Sequence, residues 1–269
     1  MKRNISIEEL KALQLEILQA VHDYCQAHNL RYSLAYGTLI GAVRHQGYIP
    51  WDDDIDLLMP REDYEQLLDG FSHPYLKAYD CKRCENYTQP FAKVADTRTV
   101  LEENSDTMQL GINIDIFPVD DLYDTREESA AFVRSLAPLK RKYRMKILRP
   151  SKKNVWWKRI AIRLSKLLVA RYDLKTLVMA QYIFIDRLRG NHAKYMSMVS
   201  GNEYGASAER AIFEREVFEQ YMDLPFEGRQ FRAIAAYDKF LTTTYGDYMT
   251  PPEAGDRTSP HSLNEIYWK

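Results

Sequence analysis

An acidic cluster that leads straight into an apolar segment is the feature that most constrains this fold. Four aspartates lie within residues 52–56 (DDDID), and residues 57–59 (LLM) are apolar. This pattern predicts a half-covered β-strand, on which Asp54 and Asp56 project from the same face. Carboxylates this close repel each other, and a divalent cation is the simplest way to offset the repulsion. An acidic surface loop is the alternative, but the apolar continuation favours the edge of a core strand.

A third carboxylate lies in a second predicted strand. Residues 112–118 (INIDIFP) place Asp115 between β-branched apolar side chains. Burying an aspartate there is costly unless it is paired or binds a metal, and a paired structural aspartate is the alternative. Two aspartates on one strand and one on a later strand is the arrangement with which nucleotidyltransferases hold Mg²⁺ against a polyphosphate. We therefore predict that Asp54, Asp56 and Asp115 bind Mg²⁺, for which Mn²⁺ can substitute.

A small polar turn precedes the acidic cluster. Residues 36–44 (YGTLIGAVR) predict a change from strand to helix at Gly37. The first N–H groups of a helix lack acceptors within it and can receive a phosphate, and the Thr38 hydroxyl adds a donor. A purely structural turn is the alternative reading of this segment. We predict that Gly37 and Thr38 contact the substrate.

Periodicity and turn residues predict an α/β fold with a small mixed sheet flanked by helices. Predicted helices cover residues 7–28, 38–45, 62–71, 214–221 and 237–245, with long helices from 127 to about 195 interrupted at Pro138 and Pro150. Predicted extended segments cover residues 32–36, 54–59, 91–95, 112–117 and 226–231, with Pro60 and Pro118 ending two of them and a loop-rich tail over 251–269. We divide the chain into a catalytic core (1–126), a basic helical insertion (127–200) and a C-terminal part of the core (201–269).

The motifs resemble the signature of the LicD family of phosphorylcholine transferases, which have a nucleotidyltransferase-like fold. The resemblance rests on residues 36–45 (YGTLIGAVRH), 47–56 (GYIPWDDDID) and 114–118 (IDIFP). Further matching blocks are Lys93 with Asp96 and Thr99, residues 226–228 (FEG), and residues 245–249 (YGDYM) before Pro251 and Pro252. The resemblance therefore covers the core and the C-terminal region, whereas residues 127–200 match no block.

The resemblance implies transfer of phosphocholine from CDP-choline to a sugar hydroxyl of a teichoic-acid or lipopolysaccharide precursor, with release of CMP. Arg44 and Lys93 are candidates for diphosphate contact, and Asp115 either binds metal or accepts the hydroxyl proton. Tyr36, Tyr48 and Trp51 flank the acidic cluster and could surround the quaternary ammonium, with core packing as the alternative. Three further hypotheses are another CDP donor (ribitol, glycerol or ethanolamine), nucleotidyl transfer from a nucleoside triphosphate, and a non-catalytic scaffold.

Charge and cysteine content narrow the partners and the compartment. A net charge of −1 over 269 residues gives no general attraction to nucleic acid. The first nine residues lack the apolar region of a secretory signal, and three cysteines cannot all pair internally. We therefore expect a cytoplasmic protein.

A basic stretch at residues 140–175 contains 14 lysines and arginines but one acidic residue, Asp173. Apolar side chains, including Trp156 and Trp157, accompany the cations. This pattern is typical of an amphipathic helix on an anionic membrane, and it predicts peripheral attachment at the inner face of the cell membrane. The alternatives are a solvated basic face and a docking surface for an anionic glycan. A lipid-linked acceptor would suit the membrane reading.

Overall fold

The computed structural model of the protein describes residues 3–103, 107–148, 155–201, 209–253 and 263–269. The helices in these ranges are α1 (Ile7–Ala27), α2 (Tyr36–His45), α3 (Arg61–Gly70), α4 (Arg126–Ile147), α5 (Trp156–Leu168), α6 (Leu174–Asp186) and α7 (Tyr237–Tyr245). The strands are β1 (Arg3–Asn4), β2 (Ser33–Leu34), β3 (Asp56–Pro60), β4 (Leu76–Tyr79), β5 (Ala92–Asp96), β6 (Thr99–Glu103), β7 (Asn113–Asp121), β8 (Tyr195–Ser197), β9 (Ile212–Glu214), β10 (Tyr221–Phe226), β11 (Arg229–Ile234) and β12 (Leu263–Trp268). None of these helices is long and apolar enough to cross a bilayer.

The central sheet is mixed and has seven strands. Five strands follow the order β2-β3-β7-β5-β4, while β8 pairs with the end of β7 and β9 pairs with β8. Strands β3 and β7 are parallel, and the other pairs are antiparallel. Helices α1, α2 and α3 pack against this sheet. The predicted α/β architecture, a small mixed sheet flanked by helices, is confirmed.

Helix α1 holds together the two segments that carry the predicted metal ligands. Its first turn is capped by the Ser6 hydroxyl, which accepts the N–H of Glu9. Its apolar side chains recur at helical spacing and are buried: Leu10, Ile17, Leu18 and Val21. Gln14 is buried on the same face, and its Nε2 donates to the carbonyls of Asp53 and Asn113. One amide therefore ties the chain before β3 to the first residue of β7.

Two smaller sheets complete the fold. Strand β12 lies between β1 and β6, so the predicted loop-rich tail is wrong over Leu263–Trp268, whereas residues 251–253 are irregular as predicted. Strands β10 and β11 form an antiparallel hairpin. Its two turn residues, Glu227 and Gly228, both have positive φ (50° and 72°), as the tight turns of hairpins require.

The start of the site differs from the sequence prediction by two residues in each element. Helix α2 begins at Tyr36, so Gly37 lies in its first turn and does not precede the helix. Strand β3 begins at Asp56, which leaves Asp54 in the irregular segment before the strand. The transition is set by hydrogen bonds: Ala35 N donates to the Asp56 carbonyl, and Leu39 N donates to the Ala35 carbonyl to open the helix.

Two prolines do not end their elements. Strand β7 continues through Pro118 to Asp121. The N–H of Asp115 points towards β3. Backbone groups alternate between the two sides of a strand, so the nitrogen of Pro118, three residues later, points towards β5. Strand β5 pairs with β7 only as far as Ile116. The missing N–H therefore interrupts no ladder there. Helix α4 likewise runs through Pro138, which lies on its exposed side, where solvent can satisfy the released carbonyl.

Several short elements were missed or assigned the wrong type. The edge strands β4 and β6 lie in segments where no element was expected. Strand β4 precedes the predicted strand at 91–95, and β6 follows it. Residues 214–221, predicted as a helix, contain the end of β9, one turn of 3₁₀-helix (Arg215–Phe218) and the start of β10. Pro150, predicted to interrupt the long helices, lies outside the described residues. Short strands have too few residues to show a period, which explains these errors.

Candidate active site

The parallel pairing of β3 and β7 places two of the predicted carboxylates side by side. Asp56, the first residue of β3, is in register with Asp115 of β7. The pairing is fixed at its start by Asp115 N, which donates to the Ile55 carbonyl at 2.9 Å. Asp54 lies two residues before Asp56, at the same end of the strand pair. The aspartates at 54, 56 and 115 are therefore neighbours, as the sequence predicted.

The first turn of α2 lies against the same end of β3. The Thr38 hydroxyl accepts the N–H of Asp56 at 2.9 Å, so Thr38 positions the strand from a buried site. Gly37 lies so close to Asp52 that a Cβ at this position would overlap Asp52 Oδ2. Glycine thus allows a carboxylate to stand beside the helix N-terminus. That end of a helix attracts negative charge, including phosphate.

A cavity of about 370 Å³ opens over these residues. Its lining combines carboxylates with an apolar wall: Tyr36, Gly37, Asp52, Asp54, Asp56, Phe117, Met198, Gly201, Ala211 and Tyr245. The Tyr36 ring packs edge-on against Phe117, with ring centroids 5.4 Å apart. Negative charge and aromatic surface therefore face the same space.

The electrostatics of the site centre on Asp56. Burial raises the pKa of this carboxyl well above its usual value, and the charges of Asp54, Asp115 and Asp52 raise it further. Lys93 is the cation that acts in the opposite direction. Ionised Asp56 is consequently unfavourable unless a positive charge compensates it, and a bound cation would relieve that cost.

The donor set fits a magnesium ion that also binds substrate. In the part of the chain that the structure describes, no group of three or more His, Cys, Asp or Glu side chains forms a ready-made metal cage. Mg²⁺ characteristically binds to one or two carboxylates and completes its shell with water and substrate phosphate. The carboxylates of Asp54 and Asp56 at an open cavity offer such a partial set.

Lys93 and Arg44, the predicted diphosphate contacts, do not line the cavity. Lys93 is buried, and its Nζ donates to Asp115 Oδ1 at 2.6 Å and to Asn113 Oδ1 at 2.9 Å. Lys93 therefore orients the Asp115 carboxylate from a buried position outside the cavity lining. Arg44 lies in the last turn of α2, and its Nη1 donates to the Tyr248 carbonyl at 2.6 Å.

The three aromatic residues predicted to surround the ammonium group lie in different places. Tyr36 lines the cavity. Tyr48 packs against Phe226, and its hydroxyl contacts the Lys11 carbonyl and the Gln14 side chain. Trp51 is partly buried against the core and does not line the cavity. The structure thus brings one of the three to the cavity.

Sequence reasoning left six lining residues unassigned. Three carried a signal: Asp52 belongs to the acidic run, and Phe117 and Tyr245 lie in blocks that resemble the family. The remaining three are apolar or small residues with no chemical signature of their own: Met198, Gly201 and Ala211. Met198 and Ala211 come from segments that reach the cavity only through the β7-β8-β9 pairing.

Comparisons with known proteins identify the family. Residues 29–156 match the model of the LicD/FKTN/FKRP nucleotidyltransferase domain. The lipopolysaccharide cholinephosphotransferase LicD of Haemophilus influenzae is 31% identical over 278 residues, spanning 98% of this chain and 99% of the relative. The chain belongs to the LicD family. Membership confirms the resemblance and the class of enzyme that it implied, a phosphotransferase.

Two further relatives are similar over shorter segments. An uncharacterized protein of Rickettsia prowazekii is 40% identical over 85 residues, covering 27% of this chain and 31% of that protein. An uncharacterized protein of Rickettsia typhi is 44% identical over 69 residues, covering 24% and 22%. The matched domain contains the whole carboxylate group from Asp52 to Asp115, whereas Met198, Ala211 and Tyr245 lie beyond it.

Proposed function

We propose that this protein transfers phosphocholine from CDP-choline to a sugar hydroxyl of a lipopolysaccharide or teichoic-acid precursor and releases CMP. The observation that carries the proposal is the group of carboxylates at an open cavity, beside the first turn of α2. A relative that spans nearly the whole chain is named as a lipopolysaccharide cholinephosphotransferase, which supports phosphocholine as the transferred group and lipopolysaccharide as the acceptor.

The reaction exchanges one phosphorus–oxygen bond for another. The acceptor oxygen forms a bond to the phosphorus of phosphocholine, the bond to the CMP oxygen breaks, and the hydroxyl proton passes to a carboxylate. Such transfers depend mainly on positioning and on neutralising charge. We propose that Asp54 and Asp56 hold Mg²⁺, which when bound neutralises the diphosphate of the donor.

Two roles remain for Asp115, and they can be distinguished. It either completes the metal ligands or accepts the hydroxyl proton, and Lys93 fixes its orientation in both cases. If Asp115 accepts the proton, Asp115→Asn should lower kcat without changing the Mg²⁺ concentration needed for activity. If it is a ligand, the same variant should raise the Mg²⁺ concentration needed for activity.

The aromatic wall is the proposed site of the choline group. A quaternary ammonium donates no hydrogen bond and is recognised by aromatic faces and nearby negative charge. Tyr36 and Tyr245 line the cavity and supply aromatic faces, and Asp52 in the same lining supplies the negative charge. This assignment replaces Tyr48 and Trp51 with Tyr245.

We further propose that the transfer takes place in the cytoplasm, at the inner face of the membrane. Cys25, Cys81 and Cys84 are all free thiols, which suits a reducing compartment. A lipid-linked acceptor would be presented at that surface.

The decisive experiment uses CDP-choline labelled in the phosphate next to choline. With Mg²⁺ and a choline-free lipopolysaccharide or teichoic-acid precursor, labelled glycan and free CMP should form together. CDP-ethanolamine, CDP-ribitol and CDP-glycerol serve as competing donors, and faster transfer from one of them would replace choline in the proposal. Release of diphosphate from a nucleoside triphosphate would indicate nucleotidyl transfer, and no turnover with any donor would indicate a scaffold.

A further inference from the structure

Helix α5 turns its apolar face away from the protein. The side chains of this face are strongly exposed: Trp156 (73%), Trp157 (54%), Ile160 (45%), Leu164 (56%), Leu167 (71%) and Leu168 (75%). At 3.6 residues per turn they share an arc of about 120°. Ile162, which lies opposite the centre of this arc, is among the few partly buried residues of the helix. An ordinary surface helix has the reverse arrangement, with its apolar stripe against the core.

Cations border this apolar face. Arg159 and Arg163 follow one edge of the arc, and Lys158 lies beyond the other edge. Lys158 Nζ lies over the ring of Trp157, 5.6 Å from its centroid. Long basic side chains beside exposed apolar residues can bring their charges to the level of lipid phosphates while the apolar residues enter the acyl region.

The structure also separates the basic stretch into internal and external cations. Lys140 is buried and donates to the Gly201 carbonyl, while Lys146 and Lys175 donate to the carbonyls of Ala170 and Glu85. These three stabilise the fold. The cations of α5 instead lie beside its outward face. The surface available for docking therefore includes fewer cations than the whole basic stretch at residues 140–175.

A cavity of about 870 Å³ extends the same surface between α4 and α5. It includes Leu168 of the apolar face, and among the residues that the structure describes its lining carries Arg134, Arg141, Lys142 and Arg144 but no acidic residue. This charge pattern complements phosphate groups. It also disfavours a second copy of the chain as the occupant, because two such surfaces would bring like charges together.

We propose that the outward face of α5 and its basic border dock this protein on an anionic phospholipid bilayer. The apolar arc enters the interface, and Lys158, Arg159 and Arg163 bind lipid phosphates. Because the whole chain has a net charge of −1, the remainder of the surface is acidic on balance, which orients the cationic side towards an anionic membrane. The inference concerns attachment alone and is independent of the proposed transfer reaction.

The test is sedimentation of the full chain with vesicles, without donor or acceptor. One vesicle contains equal parts of phosphatidylcholine and phosphatidylglycerol, and the other contains phosphatidylcholine alone. We expect the affinity of the protein for the anionic vesicles at low salt to be at least about tenfold higher than its affinity for the phosphatidylcholine vesicles. Leu164→Glu with Leu167→Glu should abolish this binding, because both substitutions place charge on the apolar face.

The matched control is Met108→Glu with Met222→Glu, which changes the net charge equally at two exposed apolar residues elsewhere. This control should weaken binding much less than the α5 variant. A second variant, Arg159→Gln with Arg163→Gln, leaves the apolar face intact and should reduce both affinity and its dependence on salt. Circular dichroism verifies that each variant is folded.

Three results would overturn the proposal. The first is failure of the wild-type protein to pellet with anionic vesicles at low salt. The second is equal binding by the α5 variants and the methionine control. The third is a wild-type dimer in solution that Leu164→Glu with Leu167→Glu dissociates, which would make the face an interface between copies.

Discussion

Asp56 occupies a position that the folding energy alone does not favour. It is surrounded by Asp54, Asp115 and Asp52, and its raised pKa reflects burial first and these charges second. A carboxyl whose pKa is raised by the fold destabilises the folded state once the pH rises through the unfolded value. Retaining such a residue is typical of a functional site.

Replacing the carboxylates by amides should therefore separate activity from stability. We expect Asp54→Asn, Asp56→Asn and Asp115→Asn each to lower kcat by about 10²-fold or more, because the amide retains shape but loses charge. Asp56→Asn should leave the Tm unchanged or raise it, since it removes repulsion. Asp53→Asn is the control within the same acidic run and should change kcat only a few-fold. Wild-type turnover in any of the first three would remove that residue from the mechanism.

Gly37 permits the close approach of Asp52 to the first turn of α2. In Gly37→Ala the new methyl group would displace the Asp52 carboxylate, and this steric strain would cost about 1–3 kcal/mol of free energy. We expect KM for the donor to rise about tenfold. The steric origin is tested by repeating the change in the Asp52→Ala background, where the effect should be much smaller. An equal effect in both backgrounds would show that Asp52 is not the group displaced.

The aromatic assignment makes Tyr245 and Tyr48 behave differently. Tyr245→Ala should raise KM for CDP-choline several-fold, because one cation–π contact contributes about 0.5–2 kcal/mol. Tyr48→Ala should leave KM unchanged and lower the free energy of unfolding by about 2 kcal/mol, since its ring and hydroxyl are used in packing. Steady-state kinetics and urea unfolding measure the two effects. The reverse result would return Tyr48 to the site.

At the scale of elements, the sequence correctly predicted those in which capping or charged residues and the spacing of apolar residues indicate the same structure. Helix α1 has both a capping serine and a regular apolar stripe, and strand β3 follows directly from the acidic run. The predictions failed at Pro118 and Pro138, because the surroundings of a proline decide whether its missing N–H matters, whereas Pro60 does end β3. They also failed for short edge strands such as β4, which depend on a neighbour that the local sequence does not reveal.

Glu65 joins three elements through ion pairs. This residue of α3 contacts Arg83 at 2.8 Å, Lys82 at 3.2 Å and, beyond the end of α6, Arg189 at 2.7 Å. Burial would raise the pKa of its carboxyl, but the hydrogen bond from Arg83 and the charge of Lys82 outweigh this and lower the pKa to about 2. Glu65 therefore ties α3 to the 80–84 segment and to the end of α6.

The depressed pKa gives the sign of a pH effect. The stabilisation by Glu65 is present above the unfolded value of 4.5 and is lost as the pH falls towards about 2. Glu65→Gln should lower the free energy of unfolding by about 2 kcal/mol at pH 7, with a difference that narrows below about pH 4.5. Urea unfolding across this range measures it. A difference that is constant with pH would mean that packing, not charge, is responsible.

At the scale of the whole molecule, the candidate site combines residues that lie far apart in the chain. The carboxylates come from residues 52–115, whereas Met198, Ala211 and Tyr245 complete the cavity from the second half. Local patterns could predict the carboxylates because charge beside an apolar strand is unusual. They could not predict the apolar wall, because its members become neighbours only through the sheet order.

The β1-β12-β6 sheet joins segments from opposite ends of the chain and gives the last prediction. Ile266 of β12 is buried, and its carbonyl accepts the N–H of Ile5 at 2.9 Å. Ile266→Ala should leave a cavity and lower the free energy of unfolding by about 2–4 kcal/mol. The control is Glu265→Ala, an exposed neighbour in the same strand, which should cost less than about 1 kcal/mol. Urea unfolding compares the two, and equal values would show that β12 does not depend on core packing. Because the carboxylates belong to a different sheet, we expect Ile266→Ala to leave kcat unchanged at temperatures where the protein stays folded.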